Sequence, residues 1–302
     1  MRQILAVLGL GVLALASGCA NSKWGLFRSS QTAERLPATN PTAPDLVNYL
    51  NRNAQRIQSL ECAHVDLDVK QGMQPFHVDA RIACQKPRNF RMHATALGKT
   101  EADIGSNDQE FWYWIARGDP YLIHCSYQDL ASGARTPFPF QPEWIIEALG
   151  MAEFDPNQKY EAVPKGNSLE LVQSSTNSRG ERIQKVTVFS NVISAPVRVT
   201  DHILRNAKGE EICRAKILEV QEVAKGIVIP RKVVLSYPGE KLEMRMTLWT
   251  RLDDVRLNTQ IDAEQAKALF TRPTLSGVQS YDLARGPDGG NALRPAGAFA
   301  PR

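Results

Sequence analysis

The sequence predicts a mainly β protein with short helices, folded as an open (unclosed) antiparallel β-barrel with a helical lid. Strand-like segments recur between residues 62 and 251, and several alternate apolar with polar residues, as half-buried strands do. Three short helical patterns accompany the strands. The alternation makes one side of the sheet polar and the other apolar, and an apolar side needs a covering layer. The helices are the segments that can cover it.

The N-terminal segment predicts export. Arg2 is followed by an apolar run over residues 4–16, which is shorter than the roughly 20 residues that span a bilayer. We therefore interpret residues 1–18 as a signal peptide. Small residues precede Cys19, and this pattern resembles the lipobox at which bacterial lipoproteins are acylated. The alternative is an ordinary secretory signal in which the cysteine is incidental.

Composition sets the remaining boundaries. Residues 19–41 are rich in Ser, Thr, Asn and Pro without periodicity, as expected of a lipidated flexible tether. Residues 42–271 contain all the periodic segments and are predicted to form one folded domain. Residues 272–302 are rich in Pro, Gly and Ala, show no pattern, and are predicted to be a disordered tail.

The residue after the predicted anchor indicates a location. Ala20, rather than an aspartate, follows Cys19, which resembles the arrangement in bacterial lipoproteins sorted to the outer membrane. We expect a protein of the cell envelope that is lipid-anchored and faces the periplasm from the outer membrane.

Three helices are expected in the folded domain. The first begins at Thr42, an N-cap residue, and continues with one apolar face as far as Leu60. The second covers Pro142–Leu149, where proline opens the helix and Gly150 ends it. The third covers Ala263–Phe270 after a capping aspartate.

The predicted strands fill the rest of the domain. They cover residues 62–70, 76–84, 89–96, 100–105, 110–116, 120–127, 168–174, 182–190, 195–204, 211–222, 227–237 and 241–251. The last of them alternates most clearly between apolar and polar or charged residues. Its apolar residues are expected to face inward and to line a ligand cavity, and they are Leu242, Met244, Met246 and Leu248.

Four cysteines besides Cys19 leave the disulfide pairing open: Cys62, Cys84, Cys125 and Cys213. A hairpin around Gly72 allows one pair to be tested. In an antiparallel hairpin, the numbers of two directly opposed residues always have the same sum. Placing the apolar residues of both strands on one face requires that sum to be odd, whereas the sum for Cys62 and Cys84 is even. We therefore expect Cys62 to point outward and Cys84 inward, and a bridge between them would need a β-bulge.

No enzyme signature is complete, so we expect no catalysis, no cofactor and no metal. Gly98-Lys99-Thr100 could end a phosphate-binding loop, but His93 occupies the position of its first glycine. Gly166-Asn167-Ser168 begins like a nucleophile elbow, but Glu170 replaces its last glycine. The histidines are scattered singly over strands. The formal charge of +4 is too small and too dispersed for a nucleic-acid surface.

Several motifs are similar to the lipoprotein-localisation proteins LolA and LolB. They are the segment from Lys86 to Arg91, the segment 104–108, and Phe111-Trp112-Tyr113. The resemblance implies an open β-barrel whose helical lid encloses an apolar cavity for acyl chains. In the carrier of this family a basic residue before the proline helps to hold the lid, and Lys86 occupies that position.

Two features are closer to LolB. The loop Thr95-Ala96-Leu97-Gly98-Lys99 resembles the LolB loop that carries a membrane-inserting leucine, which implies membrane contact by Leu97. The alternative is that Leu97 folds back into the protein as an ordinary hydrophobic plug of the loop. LolB is also itself a lipoprotein. In the aromatic run from Phe111 to Trp114, one pair should face the cavity and the other the outside. We assign Trp112 and Trp114 to the ligand, with core packing as the alternative.

These observations predict a membrane-anchored lipoprotein that binds acyl chains of a lipid or lipoprotein in its barrel and assists their transfer or membrane insertion. Its expected partners are those acyl chains, the membrane and a possible periplasmic carrier protein. One alternative is a lipid carrier with an unrelated ligand. Another is a non-catalytic envelope interaction protein whose own side chains fill the barrel. A hydrolase is the alternative from another class, and it lacks any nucleophile and base at a suitable spacing.

Overall fold

The computed structural model describes residues 41–287, apart from residues 72–73, 117–119, 133, 135–141, 177–179, 191–196, 239–241 and 250–253. Its helices are α1 (Ala43–Ala54), α2 (Tyr127–Ala131), α3 (Pro142–Ala148) and α4 (Ala263–Leu269). The strands of its first half are β1 (Ser59–Gln71), β2 (Gln74–Gln85), β3 (Asn89–Ala96), β4 (Lys99–Ser106), β5 (Glu110–Ile115) and β6 (Tyr121–Ser126). Those of the second half are β7 (Glu161–Lys165), β8 (Ser168–Thr176), β9 (Arg182–Ser190), β10 (Val199–Asn206), β11 (Glu211–Ala224), β12 (Ile227–Tyr237), β13 (Leu242–Leu248), β14 (Val255–Leu257), β15 (Gln279–Asp282) and β16 (Gly286–Pro287).

All the described strands belong to one sheet that does not close. Its order is β16-β15-β6-β5-β4-β3-β2-β1-β13-β12-β11-β10-β9-β8-β7, and β14 pairs separately with β1. Neighbours are antiparallel except β15 and β6, which run parallel. The central join is between β1 and β13, where Leu67 lies opposite Met246. The predicted fold class, an unclosed antiparallel sheet with few short helices, is confirmed.

The alternation along the strands gives the sheet an apolar inner face, which we define as the side against which α3 packs. From β13 to β4 the inner face continues through directly opposed pairs, including Leu67 with Val78 and Met92 with Ile104. Trp144, Ile145 and Leu149 of α3 and its C-terminal end belong to the same buried cluster. The helix therefore buries the apolar face that the sequence pattern required to be covered.

Helix α1 covers another part of the inner face. It begins with a capping box in which Thr42 and Asp45 bind each other's backbone N–H groups. Leu46 and Val47 are buried with Leu169 of β8 and with Phe189 of β9. The helix is shorter than predicted, because residues from Ser59 onward pair in β1 with β2.

A β-bulge in β1 changes the predicted environment of Cys62. From Val65 onward the β1–β2 hairpin has the predicted register, in which the numbers of paired residues have an odd sum. The register shifts between Cys62 and Val65. Cys62 thus lies opposite Ile82 and is only 1% exposed, so the prediction that it points outward is wrong. All four cysteines that the structure describes are buried free thiols.

The C-terminal segment also departs from the prediction. Residues 279–282 form β15 and pair with β6, so the expectation of a disordered tail needs correction for the described residues up to 287. Before this strand, the Arg91 guanidinium donates a 3.0 Å hydrogen bond to the Leu269 carbonyl, on the side of the sheet opposite to α3. Backbone pairing stabilises this segment, and pairing of that kind requires no side-chain periodicity.

Among the described helices, none has the length and apolar character needed to cross a membrane.

Candidate functional site: a cavity beneath helix α1

Helix α1 is held against the sheet by polar side chains in its middle and near its C-terminal end. The Tyr49 hydroxyl donates to the Val197 carbonyl at 3.0 Å. Asn53 makes a reciprocal pair with Val228 of β12: its amide donates to the carbonyl at 2.8 Å, and its oxygen accepts from the backbone N–H at 2.9 Å. Such paired bonds fix both the position and the rotation of the helix relative to β12.

The segment after α3 is bound to the same helix. Asn51 makes a second reciprocal pair, with the backbone N–H and carbonyl of Phe154, both at 2.8 Å. Lys86 donates to the Ala54 carbonyl at 2.8 Å and forms a 2.8 Å ion pair with Glu153. Lys86 thus lies at the C-terminal end of α1, where a cation is stabilised by the helix dipole. This contact agrees with the position expected of a lid-holding residue, and that role stays a prediction.

Between these attachments lies a cavity of about 360 Å³. Its walls are α1, the segment that follows α3, and one end of β10, β11 and β12. Most of the lining residues are apolar, and they are Leu50, Ala148, Ala152, Phe154, Val197, Val199, Ile217, Val220, Val228, Ile229 and Pro230. The volume is at the lower end of the range of about 300–1,000 Å³ typical of small-molecule sites.

A buried polar cluster lies on one wall of the cavity. Glu147 of α3, with a side chain 11% exposed, lies 3.7 Å from His202 of β10 and 3.6 Å from Lys185 of β9. His202 also lies 3.3 Å from the Thr187 hydroxyl. Burial raises the pKa of Glu147, but the hydrogen bond from His202 and the charge of Lys185 lower it more, so that its pKa falls below the ordinary value. Glu147 is therefore ionised at neutral pH and compensated by its neighbours.

The four predicted cavity residues of β13 do face inward, but none of them lines this cavity. Met246 and Leu248 are 1% and 0% exposed, so their side chains are packed within the protein's own core. Leu242 and Met244 are partly buried at the edge of the same cluster. Their inward orientation is confirmed, and ligand contact by Leu242 and Met244 stays a prediction.

Trp112 and Trp114 lie on the outer face, so their assignment to the cavity is corrected. Trp112 lies opposite Gly105, whereas the inner-face residue Ile104 lies opposite Tyr113. Trp112 is fully buried, and its indole N–H donates to Asp103 at 2.9 Å. Alternate residues of a strand point to opposite faces, so the prediction that Phe111 and Tyr113 lie on one face and Trp112 and Trp114 on the other is correct. Because all four residues are aromatic, the sequence did not indicate which pair faces inward.

Leu97 lies at the tip of the β3–β4 hairpin and is completely exposed. Its backbone φ is 50° and that of Gly98 is 76°. Positive φ at both loop residues is typical of a type I′ turn, which favours Asn-Gly over a leucine. The alternative that Leu97 folds back into the protein is excluded by this exposure, and membrane contact stays a prediction.

The described residues also place one possible cation site on the outer face. Asp66, His77 and Asp79, on β1 and β2, have potential ligand atoms within 4.8 Å of one another. The His77 ring is hydrogen-bonded to Asp68 at 3.0 Å, and this bond raises the pKa of His77. Pairing of β1 with β2 brings these residues together. Because each histidine is isolated in the sequence, the sequence gave no indication of the cluster.

No protein-family model and no curated protein matches the chain significantly. Among solved structures, a putative outer membrane lipoprotein-sorting protein domain from Vibrio parahaemolyticus is 8% identical, with a TM-score of 0.51 over 76% of this chain and 98% of that one. A DUF1329 family protein from Desulfovibrio piger is 10% identical, with a TM-score of 0.48 over 76% and 95%. A LolA superfamily protein from Nitrosomonas europaea is 9% identical, with a TM-score of 0.45 over 75% and 97%.

Identities this low concern the fold alone. The sheet order, the inner face covered by helices and the match to the Vibrio domain agree with one another. The chain therefore shares its fold with the Vibrio domain.

Proposed function

We propose that this protein is an envelope lipoprotein that binds an acyl chain of a lipid or lipoprotein in the cavity beneath α1 and assists its transfer or membrane insertion. The observation that carries the proposal is the apolar cavity of about 360 Å³ between a lid-like helix and the inner face of a LolA/LolB-like sheet. Burying an alkyl chain there would gain roughly 0.8 kcal/mol for each methylene removed from water. The lipoprotein-sorting description of the Vibrio neighbour supports the same class of ligand.

The chemistry of the thiols agrees with binding rather than nucleophilic catalysis. Burial raises the pKa of Cys62 and of Cys125 to about 11, and that of Cys213 to about 12. A thiol with such a pKa is almost wholly protonated at neutral pH, and the thiolate is the nucleophile.

A cavity-filling substitution tests the proposal. Val199 lines the cavity from β10 and is only partly buried, at the edge of the core cluster beneath α1, so Val199→Trp should occupy ligand space. We expect binding of a fluorescent fatty acid to weaken by at least about tenfold, the equivalent of 1.4 kcal/mol. The matched control is Val163→Trp, since Val163 is 40% exposed on the edge strand β7 and does not line the cavity. Equal binding by both variants would contradict the proposal.

The membrane anchor is a separate part of the proposal. Cys19 lies outside the described residues, so its acylation rests on the sequence pattern. Cells that express the wild-type chain should incorporate radiolabelled fatty acid into it, and Cys19→Ala should abolish the label. An unlabelled wild-type protein would remove the anchor from the proposal.

The interaction-protein alternative is favoured by one observation, the complete burial of Met246 and Leu248 by the protein's own side chains. It predicts that no lipid accompanies the purified protein. Mass spectrometry of lipid extracted from the protein purified without detergent separates the two functions, because acyl-chain binding predicts a stoichiometric lipid.

A further inference from the structure

One face of α1 brings positive charge to the cavity. Arg52 and Asn53 follow Tyr49 by 3 and 4 residues, which places the three side chains on one side of α1, and Arg56 lies in the turn just after the helix; all four line the cavity. Across from this face, Arg198 lines the cavity next to Val197, whose carbonyl accepts the hydrogen bond from Tyr49. The arginines are exposed, so they lie at the mouth and not in the interior.

Two of these guanidinium groups keep their charge uncompensated. Arg56 donates to the carbonyls of Gly226 and Lys225 at 2.8 and 2.6 Å, and carbonyls carry no net charge. Within the described part of the chain, no carboxylate forms an ion pair with Arg56 or Arg198. The backbone bonds also hold the Arg56 guanidinium in place, which reduces the entropy lost when an anion binds.

Among the described residues that line the cavity, arginines outnumber carboxylates. Glu147 is the one carboxylate among them, and Lys185 and His202 compensate it. Three further carboxylates lie nearby but do not line the cavity: Glu153 pairs with Lys86, and Asp155 and Glu222 accept hydrogen bonds from backbone N–H groups. The cavity lining itself therefore has a positive balance above an apolar interior.

We infer that the ligand is an amphiphile with one acyl chain and an anionic headgroup, which binds with its chain in the cavity and its headgroup between Arg56 and Arg198. This rests on the proposed function, the uptake of an acyl chain. A carboxylate or phosphate accepts charge-assisted hydrogen bonds from guanidinium groups, which are stronger than those between neutral partners. The cavity volume suits one chain rather than the several chains of a large lipid.

Titration calorimetry with amphiphiles of equal chain length tests this assignment. Laurate, monolaurin and dodecyltrimethylammonium are titrated into the purified protein below their critical micelle concentrations, in low salt. We expect laurate to bind about three- to tenfold more tightly than monolaurin, and the cation to bind most weakly. Screening in 0.5 M NaCl should reduce the preference for laurate.

Arg198→Gln should move the ratio of laurate to monolaurin affinity toward one. This variant loses no side-chain hydrogen bond of the described structure, which makes it preferable to a change at Arg56. The matched control is Arg245→Gln, because the Arg245 side chain is 51% exposed on β13 and does not line the cavity. The control should keep the wild-type ratio.

The remaining outcomes separate the two hypotheses. Equal affinities for the three amphiphiles would overturn the anionic headgroup and leave acyl-chain binding intact. Binding of none of them would overturn the proposed function itself. A further pair of titrations compares inorganic phosphate with dodecyl phosphate. Equal affinities for the two would show a site for free anions, and would overturn the amphiphile assignment.

Discussion

At the scale of single residues, Gly105 and Trp112 show how one position depends on another across the sheet. They are directly opposed on the outer face of β4 and β5. A Cβ atom added to Gly105 would lie 2.3 Å from Cζ2 of Trp112 and 2.9 Å from the Phe90 carbonyl oxygen. The absence of a side chain at Gly105 is what allows the indole to lie flat enough to reach Asp103.

Gly105→Ala should therefore reduce the free energy of unfolding by about 1–3 kcal/mol, the usual cost of overpacking a close contact. Urea unfolding followed by tryptophan fluorescence measures the change. In a Trp112→Phe background the same substitution should cost less, because the clashing atom is absent. An equal cost in both backgrounds would place the strain at the Phe90 backbone instead.

Leu97 has a backbone conformation that suits another residue better. Leucine with positive φ costs about 1 kcal/mol, whereas asparagine adopts this conformation readily. Leu97→Asn should thus keep or raise the melting temperature, and as a loss of membrane contact it should weaken transfer of lipid to vesicles. Val163→Asn, at an exposed apolar residue away from the hairpin, is the control and should transfer normally. Normal transfer by Leu97→Asn would show that the leucine has no membrane role.

At the scale of elements, α1 acts as one rigid cover because its polar contacts are distributed along its length. Tyr49 binds the segment before β10, Asn51 the segment after α3, and Asn53 the strand β12. Opening the cavity on this side requires these contacts to break together, which makes the helix a candidate for the moving part during ligand exchange.

Asn53→Ala tests that interpretation. It removes the two hydrogen bonds to the Val228 backbone and a longer one to the Gly150 carbonyl. After allowance for the higher helix propensity of alanine, we expect a loss of about 1–2 kcal/mol in the free energy of unfolding. Release of a bound fluorescent fatty acid, measured by stopped flow, should become faster. Asn48→Ala provides the comparison on an exposed position of the same helix. If both variants release the probe at the wild-type rate, α1 is not the gate.

At the scale of the whole molecule, buried carboxylates on both faces of the sheet make stability depend on pH. On the outer face, the hydrogen bonds of Arg205 hold the pKa of Glu170 below its ordinary value. On the inner face, the pKa of Glu147 is also below its ordinary value. A carboxylate whose pKa is lower in the folded than in the unfolded protein stabilises the fold at pH values above its unfolded pKa, which is near 4.3. This stabilisation is lost as the pH falls through the pKa of the folded state.

We expect the free energy of unfolding in urea to fall progressively below about pH 5. Glu170→Gln should lower stability at pH 7 and make the acid-induced decrease shallower, because this carboxylate no longer takes up a proton on unfolding. Glu161→Gln, at an exposed glutamate of β7, should leave the profile unchanged. A steep decrease retained in Glu170→Gln would locate the acid sensitivity elsewhere.

Local sequence patterns were sufficient to predict most helices and strands, but they were insufficient to predict what surrounds each side chain in the folded protein. The alternation of β13 predicted correctly that Met244 and Met246 face inward, because a polar residue separates them. It could not predict that Met246 is covered by the protein's own core. For Trp112, flanked by aromatic residues, alternation separates two faces but does not identify the inner one.

The cavity itself had no local signal. Asn51 and Asn53 look like ordinary polar helix residues, and their role appears only when Phe154 and Val228, over a hundred residues away, are brought beside them. A pattern of two asparagines in the last turn of an amphipathic helix could have indicated a helix bound to backbone groups, but not the partners. The same applies to Glu147, which becomes part of the site through His202 on a distant strand.

The sequence by itself determined three of the described helices, most of the described strands, and the polar and apolar sides of the sheet, because these depend on periodicity and backbone preference over a few residues. Only the tertiary structure decided the bulge that buries Cys62, the parallel addition of β15, and the place of the cavity beneath α1. Those features depend on contacts between residues far apart in the chain. Their free energy comes from burial and pairing that no local window contains.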